Sequence, residues 1–352
     1  SGKWKRALNI LACTCERDSA LMLDMFSYNS AVSACADVGE WRHALGFFVV
    51  TEARRLKPNA ISYSAAISAC EKGNQWDWAL NILAAMQQEL ADPDVITYNA
   101  AIRAFAKGDE WELALGMLDD MKKHFVEPDV ISYNCIITAC EMGEQWEHAL
   151  RIVAEMPKQG SKPDVPSFNA VIRALGNCQL WQRATRTLEV MQDQHLNPDV
   201  ISYNGAIRAC GKAGQSELVF EMLEELRERR LIPDVITYST AISACGKGAQ
   251  WELALGLLRE MRRHDLESDT ISFNAAISAC EKGEQWERAL RILTEMQELG
   301  LEPNVISYIA AISACEKCLQ LNSGLELLMQ MQDSGIDRSL SSFAWALARL
   351  SS

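Results

Sequence analysis

Apolar positions along this chain fall into two short helical stripes that alternate at a regular interval. Over Val95–Ala106, the positions Tyr98, Ile102 and Phe105 are spaced by four and three residues, which marks one face of a helix. Lys107-Gly108-Asp109 interrupts that face. A second stripe of Trp111, Leu115, Leu118 and Met121 follows. Glu127-Pro128-Asp129 ends it, since the residue before a proline disfavours helical backbone. The spacing therefore predicts two short helices joined by a tight turn.

The same pattern recurs along the chain. With Met25, Ala60, Val95, Val130, Val165, Val200, Val235, Thr270 and Val305 as first positions, every step is 35 residues, without insertion or deletion, as far as Ser339. This gives nine units: 25–59, 60–94, 95–129, 130–164, 165–199, 200–234, 235–269, 270–304 and 305–339. Residues 1–24 read as the second half of a preceding unit, because the stretch Lys3 to Leu8 matches Gln145 to Leu150; residues 340–352 open a tenth. One hairpin cannot bury both stripes, but stacked hairpins can. The expected fold is all-α: a right-handed α-solenoid, or superhelix, of tandem helix–turn–helix repeats with a continuous groove.

Composition agrees with this reading. The chain has 352 residues, long for one compact core, and a repeat array escapes that limit because each unit packs only on its neighbours. No apolar run reaches the ~18 residues of a membrane span. The opening Ser1-Gly2-Lys3 has no methionine and reads as a processed or trimmed start in which no targeting peptide is visible. The aromatic fourth positions (Tyr28, Tyr63, Tyr98, Tyr133, Phe168, Tyr203, Tyr238, Phe273 and Tyr308) share a stripe with isoleucines and are read as core rather than as base-stacking platforms. Trp41, Trp76, Trp111, Trp146, Trp181, Trp251 and Trp286 open second helices and are read as packing between repeats.

Candidate chemistry is sparse. Of twelve cysteines, Cys35, Cys70, Cys140, Cys210, Cys245, Cys280 and Cys315 recur 35 or 70 residues apart, which suits a small buried helix residue. Cys13/Cys15 and Cys315/Cys318 lack a second ligand pair at zinc spacing, and free thiols imply a reducing compartment. None of the five histidines, His43, His124, His148, His195 and His264, begins a His-x-Glu motif followed by Cys-x-x-Cys. A glycine-rich phosphate loop is also missing. No catalytic residue, metal, cofactor or small-molecule substrate is expected. The net charge of −13 argues against general polyanion binding, so any nucleic-acid role must rest on local features.

The unit resembles the pentatricopeptide repeat in its pure 35-residue form. The shared features are a Val-Ile-(Thr/Ser)-Tyr-Asn opening, a Lys-Gly turn, Ala-Leu, a methionine and a terminal Pro-Asp. The tetratricopeptide repeat differs in its period of about 34 and in its tryptophan and proline placement. The resemblance implies single-stranded RNA binding at about one base per repeat. It implies that the fifth and last residues of each repeat read the base edge, that the second sandwiches the base, and that the strand runs 5′ to 3′ along the N-to-C direction.

On that basis the base-reading pairs are Asn29 with Asn59, Ser64 with Asp94, Asn99 with Asp129, Asn134 with Asp164, Asn169 with Asp199, Asn204 with Asp234, Ser239 with Asp269, and Asn274 with Asn304. A carboxylate only accepts hydrogen bonds, which favours uracil and guanine; an asparagine also donates, which favours cytosine and adenine. A fifth-position asparagine reaches a pyrimidine, whereas serine leaves room for a purine. The implied target is 5′-YGUUUUGY-3′. Ile309, paired with Ser339, has no polar group and reads no base. Pro-Asp is also an ordinary turn and Asp an ordinary helix cap.

The sandwiching residues are Ile61, Ile96, Ile131, Ile201, Ile236, Ile271 and Ile306, with Phe26 and Pro166 as departures; packing between repeats is the alternative role for these positions. Lys72, Lys107, Lys212, Lys247, Lys282 and Lys317 recur at the thirteenth position, with Asp37, Met142 and Asn177 as exceptions. They form either a phosphate-contacting line or solvated turn residues. Six contacts would give a log–log salt slope of about −4, at about −0.7 per charge. The acids Glu112, Glu147, Glu252 and Glu287 belong to second helices and are expected to face away. The resemblance further implies work in a mitochondrion or chloroplast, on RNA processing, stability, splicing, editing or translation, without membrane association and with protein partners in an RNA-processing complex. The alternatives are a protein-binding helical-repeat scaffold and the RNA-targeting part of a larger modifying enzyme.

Overall fold

The computed structural model describes residues 25–53, 58–89, 91–264, 266 and 268–333. The expectations for residues 1–24 and 340–352, for Cys13/Cys15 and for Ser339 lie outside them, as do those for the side chains of Phe26, Tyr28 and Asp37. The described residues form helices and no strand. The helices are α1 (Met25–Val38) and α2 (Trp41–Ala53), α3 (Ala60–Lys72) and α4 (Trp76–Gln88), α5 (Val95–Lys107) and α6 (Trp111–Lys123), α7 (Val130–Met142) and α8 (Trp146–Glu155), then α9 (Val165–Asn177) and α10 (Trp181–Asp193). They continue with α11 (Val200–Lys212) and α12 (Ser216–Glu228), α13 (Val235–Lys247) and α14 (Trp251–Arg263), α15 (Thr270–Lys282) and α16 (Trp286–Glu298), and α17 (Val305–Lys317) and α18 (Leu321–Asp333). The chain forms two compact units, Ser1–Ala174 and Leu175–Ser352.

Local chemistry sets where the helices start and stop. First helices begin behind a side-chain cap: Asp94, Asp129, Asp199 and Asp234 each accept from the backbone N–H three residues on. That satisfies one of the four donors a helix start leaves unpaired. First helices stop because the next turn needs left-handed backbone, as at Asp109 (φ 64°), Glu144 (φ 56°) and Gly214 (φ 73°). The chain then closes back on itself, with Gln75 N–H donating to the Cys70 carbonyl at 2.9 Å and Glu110 N–H to Phe105 at 2.9 Å. This is the bond pattern that ends helices at left-handed residues.

In the first unit α1, α3, α5 and α7 stack in order; α2, α4 and α6 each pack on the first helices before and after them. In the second unit α11, α13, α15 and α17 stack likewise, backed by α12, α14 and α16. Small residues make this close stacking possible: Ala66, Ala69 and Cys70 in α3, and Ala241, Ala244 and Cys245 in α13, are fully buried. Burial pushes the thiols of Cys70 and Cys245 up to about 12, so they are neutral, inert packing groups at pH 7. The fourth-position aromatics from Tyr63 onward are core side chains. Two of them keep their hydroxyls on carboxylates, Tyr98 on Asp120 at 3.4 Å and Tyr238 on Glu260 at 3.1 Å. A buried phenol needs such a partner.

Trp41, Trp76, Trp111 and Trp251 pack between repeats, against Gly73, Gly108, Gly143 and Gly283. Trp111 lies against Gly143 at the end of the next first helix, so close that a Cβ on Gly143 would stand 2.5 Å from its Cδ1. Gly116, in the middle of α6, has nothing within 4 Å of such a Cβ. Gly143→Ala is therefore expected to cost about 1–3 kcal/mol through overpacking. Gly116→Ala is expected to be neutral or to gain up to about 1 kcal/mol from helix propensity. Urea unfolding midpoints followed by circular dichroism distinguish the two; equal shifts would overturn the packing account.

Candidate nucleic-acid interface

First helices bury most of their circumference and leave one stripe uncovered, although its fifth-position member is buried in α5 (Asn99) and α9 (Asn169). In α11, after Val200, the stripe is Ile201, Asn204, Arg208 and Lys212; Ser202, Tyr203, Ala206, Ile207, Ala209 and Cys210 are buried. These are the second, fifth, ninth and thirteenth positions, three or four residues apart on one helix face.

At the N-terminal end of that stripe the fifth residue meets the last residue of its own repeat. Asn134 Nδ2 donates to Asp164 Oδ1 at 3.0 Å, and Asn204 Nδ2 to Asp234 Oδ1 at 3.1 Å. Asn29 reaches Asn59 at 3.2 Å, Asn274 reaches Asn304 at 3.2 Å, and Asn99 reaches Asp129 at 3.4 Å. The acceptor is the same oxygen that caps the next first helix, as where Ser132 N–H donates to Asp129 Oδ1 at 2.7 Å and Thr237 N–H to Asp234 Oδ1 at 2.8 Å. Capping and pairing are thus one hydrogen-bond cluster.

A third residue joins each cluster, and the sequence reading did not single it out: the buried Ser or Thr at the third position of the next repeat. Ser167 Oγ donates to Asp164 Oδ1 at 2.7 Å or to Asn134 Oδ1 at 2.5 Å. Thr237 and Ser307 stand in the same way to Asn204 (2.6 Å) and Asn274 (2.5 Å). Their signal was present as a hydroxyl repeating every 35 residues. At Asn134, Asn204 and Asn274 it fixes the amide orientation, with Oδ1 held by the hydroxyl and Nδ2 toward the neighbouring last residue. Burial alone would raise the pKa of Asp129 and Asp234. The hydrogen bonds from Ser132 and Asn99, and from Thr237 and Asn204, outweigh it and hold both carboxyls below the ordinary range.

The serine repeats differ. Ser239 returns its hydroxyl to the Ile236 carbonyl at 3.2 Å, so no amide covers Asp269. Ser64, Asn29, Asp94, Ile61, Ile96 and Arg103 line an open cleft of about 570 Å³ in the first unit. Asn169 and Asp199 belong to different units, and Asn169 is 95% buried at 5% exposure. Ile309 is half-buried at the fifth position of its repeat.

The second-position isoleucines stay out of the core: Ile61, Ile96, Ile131, Ile201, Ile236, Ile271 and Ile306 are between 53% and 66% exposed. Pro166 is exposed as well. The lysines are less uniform than their spacing. Lys107 Nζ lies 3.6 Å from Glu71 Oε1, and Lys317 Nζ lies 3.0 Å from Glu281 Oε1. Lys247 donates to the Lys212 carbonyl at 3.2 Å, while Lys72 and Lys282 continue the same position. Glu112, Glu147, Glu252 and Glu287 are exposed in the second helices as expected, but Glu71, Glu141 and Glu281 of the first helices stand beside the cations. Among the described residues no cluster of three His, Cys, Asp or Glu is placed to hold a metal, and no helix is long and apolar enough to cross a membrane.

Family models describe the same units. The PPR repeat family matches residues 93–142, 128–177 and 198–247, the pentatricopeptide repeat domain 15–74 and 256–317, and the PPR repeat 61–89, 236–266 and 306–336. The chain belongs to the pentatricopeptide repeat family, as an all-α solenoid of tandem hairpins. It is similar to the crystal structure of the pentatricopeptide repeat protein PPR10 in complex with an 18-nt psaJ RNA element, at TM-score 0.75 and 18% identity over 94% of this chain and 47% of that one. It is also similar to PPR10 from maize, at TM-score 0.60 and 20% identity over 99% of this chain and 61% of that one. The chain thus spans about half to three fifths of the length of these structures. No curated protein matches by sequence.

Because the last residue caps with Oδ1, an amide serves as well as a carboxylate. Asp129→Asn is expected to leave stability nearly unchanged, and Asp129→Ala to cost about 0.5–2 kcal/mol. Depressed carboxyl pKa values give stability that is present above the unfolded value of about 3.9 and lost as pH falls through the folded values. Melting temperatures followed from neutral to acid pH are expected to drop across that window, with the drop reduced in Asp129→Asn; an unchanged pH profile would count against the cluster.

Proposed function

We propose that this protein binds single-stranded RNA sequence-specifically at about one base per repeat, on the target 5′-YGUUUUGY-3′, in organellar RNA metabolism in a mitochondrion or chloroplast. The observation that carries the proposal is the direct hydrogen bond between fifth and last residues beside an exposed isoleucine, repeated along the array. The RNA-bound state of PPR10 in a similar structure supports it.

The cap explains the chemistry. With Oδ1 committed to the next helix, an aspartate turns Oδ2, a pure acceptor, toward the groove, which suits the ring N–H of uracil or guanine. In Asn59 and Asn304 the oxygen must face the cap, because an amide nitrogen cannot accept from Ser62 or Ser307 N–H. Their Nδ2 then faces the groove as a donor, which suits the ring acceptor of cytosine. The fifth-position Asn Nδ2 keeps a second N–H for a pyrimidine carbonyl. Serine at Ser64 and Ser239 withdraws that amide and leaves room for guanine. Isoleucines such as Ile201 and Ile236 then cover the base faces. The array acts by occupying RNA or remodelling its structure, without covalent chemistry.

The net charge of −13 favours a second reading, a protein-binding scaffold. Fluorescence anisotropy with UGUUUUGU and with its central uracils changed to adenine separates the two. The RNA reading expects at least 10-fold weaker binding of the adenine variant, since each lost pair costs about 1 kcal/mol or more. Asp164→Asn is expected to move the preference at its position from uracil to cytosine. Equal affinity for both RNAs would overturn base reading.

A further inference from the structure

Between the fifth and thirteenth positions, the uncovered stripe of three first helices carries an arginine at the ninth: Arg103, Arg173 and Arg208. At a rise of about 1.5 Å per residue, it stands about 6 Å along the helix from each neighbour on the stripe. These arginines differ in what faces them. Arg103 Nε lies 3.0 Å from Oε2 of Glu71, which Lys107 shares. Arg173 holds both oxygens of Glu141, at 2.7 and 2.8 Å. Each glutamate occupies the twelfth position of the preceding repeat. Ahead of Arg208 that position is Gly176; ahead of Lys247 it is Gly211, and ahead of Lys282 it is Gly246. Arg208 is exposed on α11, and among the described residues it has no ion-pair partner.

We propose that Arg208 is a contact for the RNA backbone phosphate, and that glycine in place of glutamate at the twelfth position concentrates the charge-driven part of binding on Arg208, Lys247 and Lys282. The proposal rests on the RNA reading above. A guanidinium already holding a carboxylate gains little by exchanging it for a phosphate, because the two acceptors are alike in charge and geometry. An unpaired guanidinium gains the full release of counterions from the strand. In a chain of net charge −13, cations without a neighbouring acid are the ones able to attract a polyanion. The carboxylates of Asp199, Asp234 and Asp269 stand at the far end of the stripe, engaged in their helix caps.

Gly176 offers a test that leaves Arg208 in place. A Cβ there would have its nearest neighbours at 3.4 Å, ordinary contact, whereas at Gly246 it would come within 3.0 Å of a backbone carbonyl oxygen. The whole 352-residue chain is titrated with fluorescein-labelled UGUUUUGU between about 50 and 200 mM KCl, with circular dichroism confirming the fold of each variant. Arg208→Ser is expected to reduce the log–log salt slope by about 0.7 and to weaken binding about 5-fold at 0.1 M salt. Arg208→Lys restores the slope, and Gly176→Glu lowers it as Arg208→Ser does. Arg103→Ser and Arg173→Ser leave it unchanged. Tight wild-type binding with a slope untouched by Arg208→Ser overturns the proposal. A reduced slope together with equal affinity for the adenine variant overturns base reading and supports the phosphate contact. Absence of RNA binding by the wild-type chain overturns both.

Discussion

One carboxylate or amide oxygen per repeat holds this structure in register. Oδ1 of the last residue accepts from the backbone N–H three residues on, and so decides where each first helix begins. The same oxygen accepts from the fifth-position asparagine of its own repeat, thirty residues earlier in the chain. Where the fifth residue is asparagine, the contact that starts one helix therefore also ties it to the helix before. Without that oxygen the first turn loses its cap, the amide loses its acceptor and the buried third-position hydroxyl loses a partner.

Around this point the packing follows from residue size. Alanine and cysteine at the stacked faces allow first helices to approach, and the aromatic fourth position fills the space between first and second helices. Trp111 over Gly143 locks one hairpin to the next. Polar bonds complete the outer layer, with Gln87 donating to Asp120 at 2.8 Å and Arg227 to Glu260 at 2.6 Å across neighbouring second helices. Each contact reaches only the adjacent repeat, so the fold extends by repetition and not by a growing core.

Much of this was legible in the sequence because it is periodic. Tyr98, Ile102 and Phe105 mark a helix face by their spacing, and the fifth and last positions, named by the family resemblance, are residues that meet at the cap. Spacing cannot show which partner a long side chain takes. Lys107 and Lys317 share a register with Lys282, yet the first two lean on glutamates 36 residues earlier and nothing in their own repeat foretells it. The acids that pair with first-helix arginines are likewise Glu71 and Glu141, and not the more conspicuous glutamates of the second helices. The third-position hydroxyls recur as regularly as any other position, but their role appears only when two repeats are brought together.

The dual use of one oxygen also lets the outward head-group atom vary while the fold is kept, as the proposed base reading requires. Capping requires an acceptor at Oδ1, which Asp and Asn both supply, as Asp234 and Asn304 do here at 2.8 and 3.1 Å. The second atom of the head group is outside the cap, and it alone differs: an acceptor in one case, a donor in the other. The fifth position has the same freedom, because serine at Ser239 satisfies itself on its own helix and leaves the neighbouring aspartate still capping. Stability is thus fixed by atoms turned into the repeat junction, and the proposed base reading uses only atoms turned out of it. Substitution among Asp, Asn and Ser can change the second with little charge to the first, and that separation is what a repeat-by-repeat recognition scheme physically requires.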